Sequence, residues 1–247
     1  DSLSSPADPC YPSALAWAQF VDATRHLWGA ERHKLADVAI LYSVPTRMWV
    51  QDTSLSVSFD WISPGQASLP LSDVFSGMAR VAEDHRILYD VLIGDHPSVS
   101  SFGHLQSRLQ SYAVLVLPVV LALSDADAAL LASWVREGGT LVAVDWAQTA
   151  IYNEDFEPRP NVTTAPGASR CPQLQALLEA PGKGSVRRLD MELHRFAFRG
   201  VMDAADDAAI AAAMTPPAAA RPPILATDGL PTTVWVNVWR HGAGPMM

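Results

Sequence analysis

The sequence predicts an α/β fold in which helices cover both faces of a doubly wound, mainly parallel sheet. Apolar segments rich in β-branched residues alternate with segments of helical periodicity along most of the chain. Residues 113–117 form a continuous apolar run, which is typical of a strand buried on both faces. A helical segment with an apolar face follows, and residues 140–144 form a second apolar run. This spacing predicts a right-handed crossover between parallel strands.

Capping residues define the helix of this crossover. Ser124 can accept a hydrogen bond from the backbone N–H near Asp127, and the Ser-x-x-Asp spacing is a capping box. Asp125 and Asp127 place negative charge at the positive end of the helix dipole. Gly138 can adopt the positive φ that ends a helix. The helix therefore has a defined start and a defined end.

The other predicted elements follow the same alternation. It is typical of the flavodoxin-like kind of doubly wound sheet, in which ligands bind at the carboxyl ends of the strands. Long loops are expected at residues 51–69 and 146–170. Gly182-Lys183-Gly184 lacks the rest of a phosphate-binding loop and is interpreted as a turn before a strand. Further strands are expected at residues 37–43, 88–93 and 185–190, and helices near residues 72–86, 101–111, 171–180 and 204–214.

Composition limits the classes of function. The net charge of −9 disfavours a nucleic-acid partner, because no basic stripe is present to displace counterions from phosphates. No apolar run reaches the roughly 20 residues of a membrane span, so no membrane partner is expected. Cys10 and Cys171 give no zinc or disulfide framework. We interpret them as unpaired thiols of a reducing compartment, and we expect a cytoplasmic protein.

The turn after residues 140–144 is the candidate site. The crossover resembles the class I glutamine amidotransferase-like fold, in which one strand ends in Pro-Gly-Gly and the next ends in a nucleophilic Cys on a sharp elbow. Here Val119 and Val120 replace the glycines, and Asp145 occupies the position of the Cys. A thiolate nucleophile needs sulfur, and the elbow needs small neighbours, whereas Asp145 is followed by Trp146. The sequence therefore argues against the amidotransferase reaction.

The order of the segments resembles the middle domain of bacterial β-galactosidases of glycoside hydrolase family forty-two. In that family a catalytic barrel precedes this domain and a small β domain follows it. The resemblance covers most of residues 14–244. It implies a non-catalytic domain that packs neighbouring subunits into a trimer and helps to frame the sugar site of the barrel. The segments that carry it are ALAWAQFVDATRHLWGAERHK, DVAILYS, EDHRILYDVLIGDHPSV, LPVVLALSDADAALLASWVREGGTLVA, GKGSVRRL and VWVNVWRHGAG.

Three segments follow from these patterns. Residues 1–35 are expected to form an N-terminal segment with a docking helix, and residues 36–215 the amidotransferase-like α/β domain. Residues 216–247 are expected to form a linker and the start of a β-rich C-terminal module. Within them, residues 232–240 alternate like a half-buried strand and lead into a turn at residues 241–244. We expect a truncated hairpin there, because a hairpin strand without its partner leaves backbone groups unpaired.

No residue of this chain is expected to be catalytic. The catalytic glutamates that the resemblance implies lie on barrel strands, and retaining glycoside cleavage needs two carboxyls about 5 Å apart across a cleft. The histidines are scattered without the spacing of metal ligands, so we expect neither a metal site nor a cofactor. The acidic residues are expected to be solvated or to cap helices. The most notable of them are Glu83, Asp84, Asp125, Asp127, Glu154, Asp155 and Glu157.

A stand-alone small hydrolase is one alternative function. Asp95, His96 and Asp145 could meet at the strand ends, and Ser43 or Ser98 would complete a Ser-His-Asp set. No Gly-x-Ser-x-Gly elbow is present to expose a serine, so nothing in the local sequence favours this arrangement.

A domain that binds carbohydrate or another small ligand is the other alternative. Trp49, Trp61 and Trp146 are expected in loops, where a large apolar ring needs a covering partner. That partner could be the loops of the same domain, a neighbouring subunit, or the face of a sugar. Asp95 and His96 would lie beside them at the strand ends.

Overall fold

A computed structural model describes residues 16, 19, 32–34, 36–46, 71–94, 105, 108–160, 167–190, 203–217, 239–241 and 244–245. The chain divides into two compact units. One unit comprises residues 1–35 and 237–247, and the other comprises residues 36–236. In chain order the elements are β1 (Arg32–Lys34), β2 (Val38–Ser43), α1 (Leu71–Asp84), β3 (Tyr89–Gly94), β4 (Val114–Leu117), α2 (Asp125–Glu137), β5 (Thr140–Val144), α3 (Pro172–Glu179), β6 (Ser185–Leu189), α4 (Ala204–Met214), β7 (Trp239–His241) and β8 (Gly244–Pro245).

The larger unit contains a five-stranded parallel sheet in the order β3-β2-β4-β5-β6. Val38 pairs with Tyr89 on one side and with Val114 on the other, and Thr140 pairs with Val114 and Ser185. The predictions of an α/β fold, of a parallel sheet and of these five strands are confirmed. Because all five strands run in the same direction, their carboxyl ends share one edge of the sheet.

Apolar side chains on both faces of this sheet are buried. One cluster joins alternate strand residues to α2 and α3, and a second cluster joins the intervening strand residues to α1 and α4. Helices therefore pack on both faces, which explains the continuous apolar runs in the sequence. Fully burying one such side chain contributes about 1.5 to 3 kcal/mol. The first cluster includes Leu115, Leu117, Leu141 and Ala143, and the second includes Val114, Val116, Val142 and Val144.

The predicted ends of α2 are confirmed. The Ser124 hydroxyl oxygen accepts a hydrogen bond from the Asp127 backbone N–H at 2.9 Å. Asp125 and Asp127 lie in the first turn, and Gly138 ends the helix with a φ of 134°. The predicted turn at Gly182-Lys183-Gly184 is also present, and β6 begins immediately after it.

The smaller unit corrects two expectations. The segment proposed as a docking helix extended to Lys34, but Arg32–Lys34 is the strand β1, which pairs antiparallel with β7. Elsewhere in that segment, residues 16 and 19 are helical, and the remaining positions lie outside the described residues. The expectation that the C-terminal strand lacks a partner is wrong for Trp239–His241, because β7 lies between β1 and β8. Residues 232–238 lie outside the described part of the chain.

Several loops differ from the simple alternation. Residues 105 and 108 are helical, and Leu109–Ser111 forms a 3-10 turn, where one short helix was expected. The long loop after β5 contains a 3-10 turn at Trp146–Gln148. Residues 44–46, directly after β2, are helical. Within the described residues, no helix combines the length and the apolar character that crossing a membrane requires.

Candidate functional site

Asp145 lies on a sharp elbow at the carboxyl end of β5. Its φ of 50° and ψ of 69° are left-handed, and the 3-10 turn Trp146–Gln148 begins at the next residue. The Asp145 carbonyl accepts the Gln148 N–H at 3.0 Å and the Thr149 hydroxyl at 3.2 Å, which holds the turn closed. The expectation that this elbow needs small neighbours is wrong. The chain turns sharply because the Trp146 side chain lies in the core, where it is fully buried.

The Asp145 carboxyl is half-buried and is more easily protonated than an exposed one. Burial raises its pKa, the Gln148 backbone N–H lowers it, and the negative charge of Asp190 raises it. Within the described residues, no imidazole or hydroxyl is found bonded to this carboxylate.

The Trp146 ring belongs to the main core cluster and offers no surface to a sugar or to a neighbouring subunit. Of the covering partners expected for this ring, its own domain is the one observed. This corrects its assignment as a ligand or interface residue. Its indole N–H has no hydrogen-bond partner among the described residues.

Buried valines occupy the positions where the resembled fold has a Gly pair. Val119 and Val120 follow Pro118 at the end of β4, and both are buried. Val120 belongs to the same core cluster as Trp146, whereas Val119 belongs to the cluster on the opposite face. This connection therefore contributes apolar side chains to the core on both faces of the sheet.

Residues 150–159, called the strap from here on, lie across the connection between β4 and α2. The Ala150 N–H donates to the Val120 carbonyl at 2.7 Å, and the Tyr152 N–H donates to the Leu121 carbonyl at 3.0 Å. On doubly wound sheets ligands usually bind at the carboxyl edge, at the point where the strand order reverses, which here lies between β2 and β4. Part of this edge is occupied by the protein's own backbone.

Arg159 closes the strap. Its N–H donates to the Ile151 carbonyl at 2.8 Å, so the strap folds back on itself. Its side chain is 9% exposed, with Nη1 2.5 Å from Asp125 Oδ1 and Nη2 2.8 Å from the Leu123 carbonyl oxygen. The hydrogen bond from Arg159 lowers the pKa of Asp125, and burial acts in the opposite direction. Sequence reasoning missed Arg159, because its partner lies 34 residues away and no local pattern marks the pair.

The hydroxyl at the end of β2 is engaged in local structure. Ser43 donates to Thr46 Oγ1 at 2.8 Å, and the buried Thr46 hydroxyl accepts the Ala122 N–H at 3.0 Å. These bonds join the end of β2 to the connection after β4. Ser43 was a candidate nucleophile, and it is bonded here to Thr46 and to the Ala122 carbonyl. Thr46 is a buried polar residue that sequence reasoning did not identify.

Five of the proposed site residues lie outside the described residues. They follow β2 and β3 in the chain, and their predicted roles stay predictions. They are Trp49, Trp61, Asp95, His96 and Ser98.

Three of the described carboxylates have local partners. Glu83 accepts the Tyr89 hydroxyl at 2.9 Å, Asp84 pairs with Arg80 at 3.5 Å, and Glu157 accepts the Asn153 side-chain amide at 3.2 Å. Among the described residues, no group of three His, Cys, Asp or Glu side chains is arranged to hold a metal ion.

Cys171 is a free, buried thiol at the start of α3, and Cys10 lies outside the described residues. Burial raises the pKa of the Cys171 thiol, while the Leu174 backbone N–H lowers it. Its sulfur donates to the Gln173 side-chain oxygen at 3.3 Å. A buried thiol with a raised pKa is unreactive as a nucleophile.

Comparison with known proteins gives similar structures at low identity. No family model matches this chain, and no curated protein matches it. A β-galactosidase from Bifidobacterium adolescentis is similar at 23% identity and a TM-score of 0.43, over 60% of this chain and 57% of that chain. A β-galactosidase from Rahnella sp. R3 is similar at 21% identity and 0.43, over 63% and 19%. A catalytic mutant of Gan42B, a GH42 β-galactosidase from G. stearothermophilus, is similar at 18% identity and 0.43, over 64% and 20%.

The chain spans only part of the proteins it resembles, from 15 to 57% of their lengths. The similar structures are β-galactosidases at partial coverage. Similarity at these scores assigns neither an activity nor a substrate to this chain.

Proposed function

We propose that this chain is a non-catalytic, assembly-forming domain of a β-galactosidase-like glycoside hydrolase of family forty-two. The resemblance of six sequence segments to the middle domain of those enzymes supports the proposal. The strand order β3-β2-β4-β5-β6 supports it as well. Counted along the chain, the strands of this sheet follow the order 2-1-3-4-5 that flavodoxin-like sheets have. We propose that order for the amidotransferase-like domain.

The observation that carries the proposal is the elbow at Asp145. Its backbone has the left-handed geometry of an elbow, but the side chain is a half-buried carboxyl with a raised pKa instead of a thiol. Val120, which is in the same core cluster as Trp146, is buried, and its carbonyl is bonded to the Ala150 N–H of the strap. Such a domain keeps the scaffold of the fold without the groups needed for amidotransferase chemistry.

The proposed partners follow from the same resemblance. They are two further copies of this chain, which complete a trimer, and an upstream catalytic barrel that binds the carbohydrate. We assign Trp49 and Trp61 to contacts with a neighbouring subunit or with the sugar, and Asp95 and His96 to the same surface. The net charge of −9 gives no reason to propose a nucleic-acid partner. We also propose a cytoplasmic location.

Self-association and turnover test the proposal directly. Sedimentation velocity of the purified chain should show association that increases with concentration and weakens in Trp49→Ala and Trp61→Ala. Leu178→Ala, a change at a 37% exposed apolar residue of α3, is the matched control. No turnover of nitrophenyl β-galactoside, ester or glutamine substrates is expected. A chain that stays monomeric at every concentration would contradict the assembly role.

The elbow geometry also favours a second candidate, a small hydrolase that uses the Asp145 carboxylate. Strained backbone of this kind occurs where a fold presents a nucleophile. Turnover of any substrate in the panel that disappears in Asp145→Ala and survives in Asp190→Ala would establish this candidate in place of the first.

A further inference from the structure

The strap is joined to the α/β unit by backbone hydrogen bonds, by the Arg159 side chain and by apolar contacts. Ala150 belongs to the first core cluster, and Ile151 and Tyr152 pack against the second. Backbone hydrogen bonds connect it to residues 120–123, including one from the Leu123 N–H to the Tyr152 carbonyl at 3.2 Å. The Arg159 side chain adds the contacts to Asp125 and to the Leu123 carbonyl. None of the strap residues belongs to a strand of the sheet, so the strap can separate from the sheet without unfolding any strand.

The strap keeps its own shape at its tip. Asn153 Oδ1 accepts the backbone N–H groups of Asp155 and Glu157, at 3.1 and 2.8 Å. Two residues with side chains, Ala150 and Phe156, have positive φ values of 54° and 61°. Backbone of this kind is strained and persists only while its surroundings hold it.

The ion pair of the strap joins a buried cation to an exposed anion. The Arg159 side chain is 9% exposed, whereas the Asp125 side chain is 66% exposed. The Arg159 Nε–H has no partner among the described residues. A buried guanidinium that loses its carboxylate partner carries an uncompensated charge, which strongly favours moving it into water. Water and salt reach Asp125 directly, so the pair is open to protonation and to screening.

We propose that the strap is an acid- and salt-sensitive cover over the carboxyl edge of β4 and β5, held shut by the Arg159–Asp125 pair. Opening frees the backbone of Val120 and Leu121 and uncovers the part of the core that contains Trp146. The part of the carboxyl edge of the sheet that follows β4 then becomes accessible. This device lies beyond the proposed assembly role, and neither depends on the other.

The groups around Asp125 determine the direction of the pH effect. Arg159 of the strap and the Gln173 amide of α3 both donate to Asp125 Oδ1, and the Cys171 thiol lies close enough to interact with its charge. Asp127 lies on the same helix, and the strap itself carries further acidic residues near its tip. Because the pKa of Asp125 is lowered in the closed state, closure is favoured above about pH 4 and is lost as the pH falls further.

Hydrogen exchange of the whole chain tests the proposal. In Arg159→Gln and in Asp125→Asn at neutral pH, protection of the Ala150 and Tyr152 amides should fall about tenfold or more, which corresponds to about 1.4 kcal/mol. Protection of the Val142 amide in β5 should not change. In the unaltered chain, added salt and added acid should each reduce the protection of the strap amides before that of the Val142 amide, once the intrinsic exchange rates are corrected for.

Arg188→Gln is the matched control, because it removes an exposed ion pair with Asp190 at 3.6 Å in the same unit. It should leave the strap amides protected. Asp125→Asn keeps the proposal testable if Arg159→Gln does not fold. The proposal is overturned if both variants leave the strap protected, or if strap and β5 amides always lose protection together. Hydrogen exchange measures neither activity nor association. Failure of this proposal can therefore be distinguished from failure of the proposed assembly role.

Discussion

The Tyr112 hydroxyl donates a hydrogen bond to Asp90 Oδ2 at 2.8 Å and joins the segment before β4 to the start of β3. Arg108 contacts the same carboxylate oxygen at 2.5 Å, and its guanidinium carbon lies 5.7 Å from the centre of the Tyr112 ring. β3 is an edge strand, bonded on one side to β2. The three side chains therefore hold the edge of the sheet against residues 108–112.

Removing the Tyr112 hydroxyl should destabilise the α/β unit. Tyr112→Phe is expected to lower the free energy of unfolding by about 1 to 2 kcal/mol, because a hydrogen bond to a charged group is lost inside a mostly buried cluster. Urea denaturation measures the change. Tyr42→Phe alters a tyrosine that is 37% exposed and should have little effect. Equal effects of the two changes would contradict the importance of the Asp90 contact.

Stability should fall in strongly alkaline solution. Burial raises the pKa of Tyr89 to about 12, and the hydrogen bond and charge of Glu83 act in the same direction. Burial also raises the pKa of Tyr112, as does the charge of Asp90. A raised folded-state pKa contributes stability that is full below pH 10 and is lost as the pH rises toward about 12. Urea denaturation across this range should show the loss, and Tyr89→Phe should reduce it.

The strands could be predicted from the sequence because burial on both faces demands unbroken apolar runs. Residues 113–117 and 140–144 carry that signal, and the Ser124 cap marks the helix between them. The strap could not be predicted, because its bonds to residues 120–123 are backbone bonds that leave no side-chain pattern. Arg159 was hidden for a related reason, since an ion pair between distant residues has no local spacing.

The sharp turn at Asp145 was not expected from the sequence. A bulky residue after Asp145 suggested that the chain could not turn sharply. The turn forms because the Trp146 indole packs into the core, which moves its bulk away from the elbow. The same burial removes Trp146 from the residues that could contact a sugar. Loop position in the sequence therefore did not determine exposure.

A close backbone approach makes Gly184 irreplaceable. A Cβ at this position would lie 2.1 Å from the carbonyl oxygens of both Gly139 and Val135. Gly184→Ala should therefore destabilise the protein by about 3 kcal/mol or more, since backbone must shift. Gly167→Ala is the control, because its Cβ would meet nothing within 4 Å and only its φ of 71° is unfavourable. In thermal unfolding, the melting temperature of Gly184→Ala should be well below that of Gly167→Ala. The reverse order would refute the close packing of this turn.

Asp145→Asn tests whether the Asp145 carboxylate makes a favourable contact or is only part of the scaffold. Burial raises the pKa of Asp145, so the folded state binds its proton more tightly than the unfolded state, and the ionised carboxylate destabilises the fold at neutral pH. Asn tolerates left-handed backbone and removes the charge. The variant should therefore be more stable at neutral pH, by less than about 1 kcal/mol because solvent screens a half-exposed group. The gain should disappear as the pH falls and the original carboxyl becomes neutral. Urea denaturation at two pH values checks this, and a loss of stability at neutral pH would mean that the carboxylate makes a favourable contact that the scaffold role does not require.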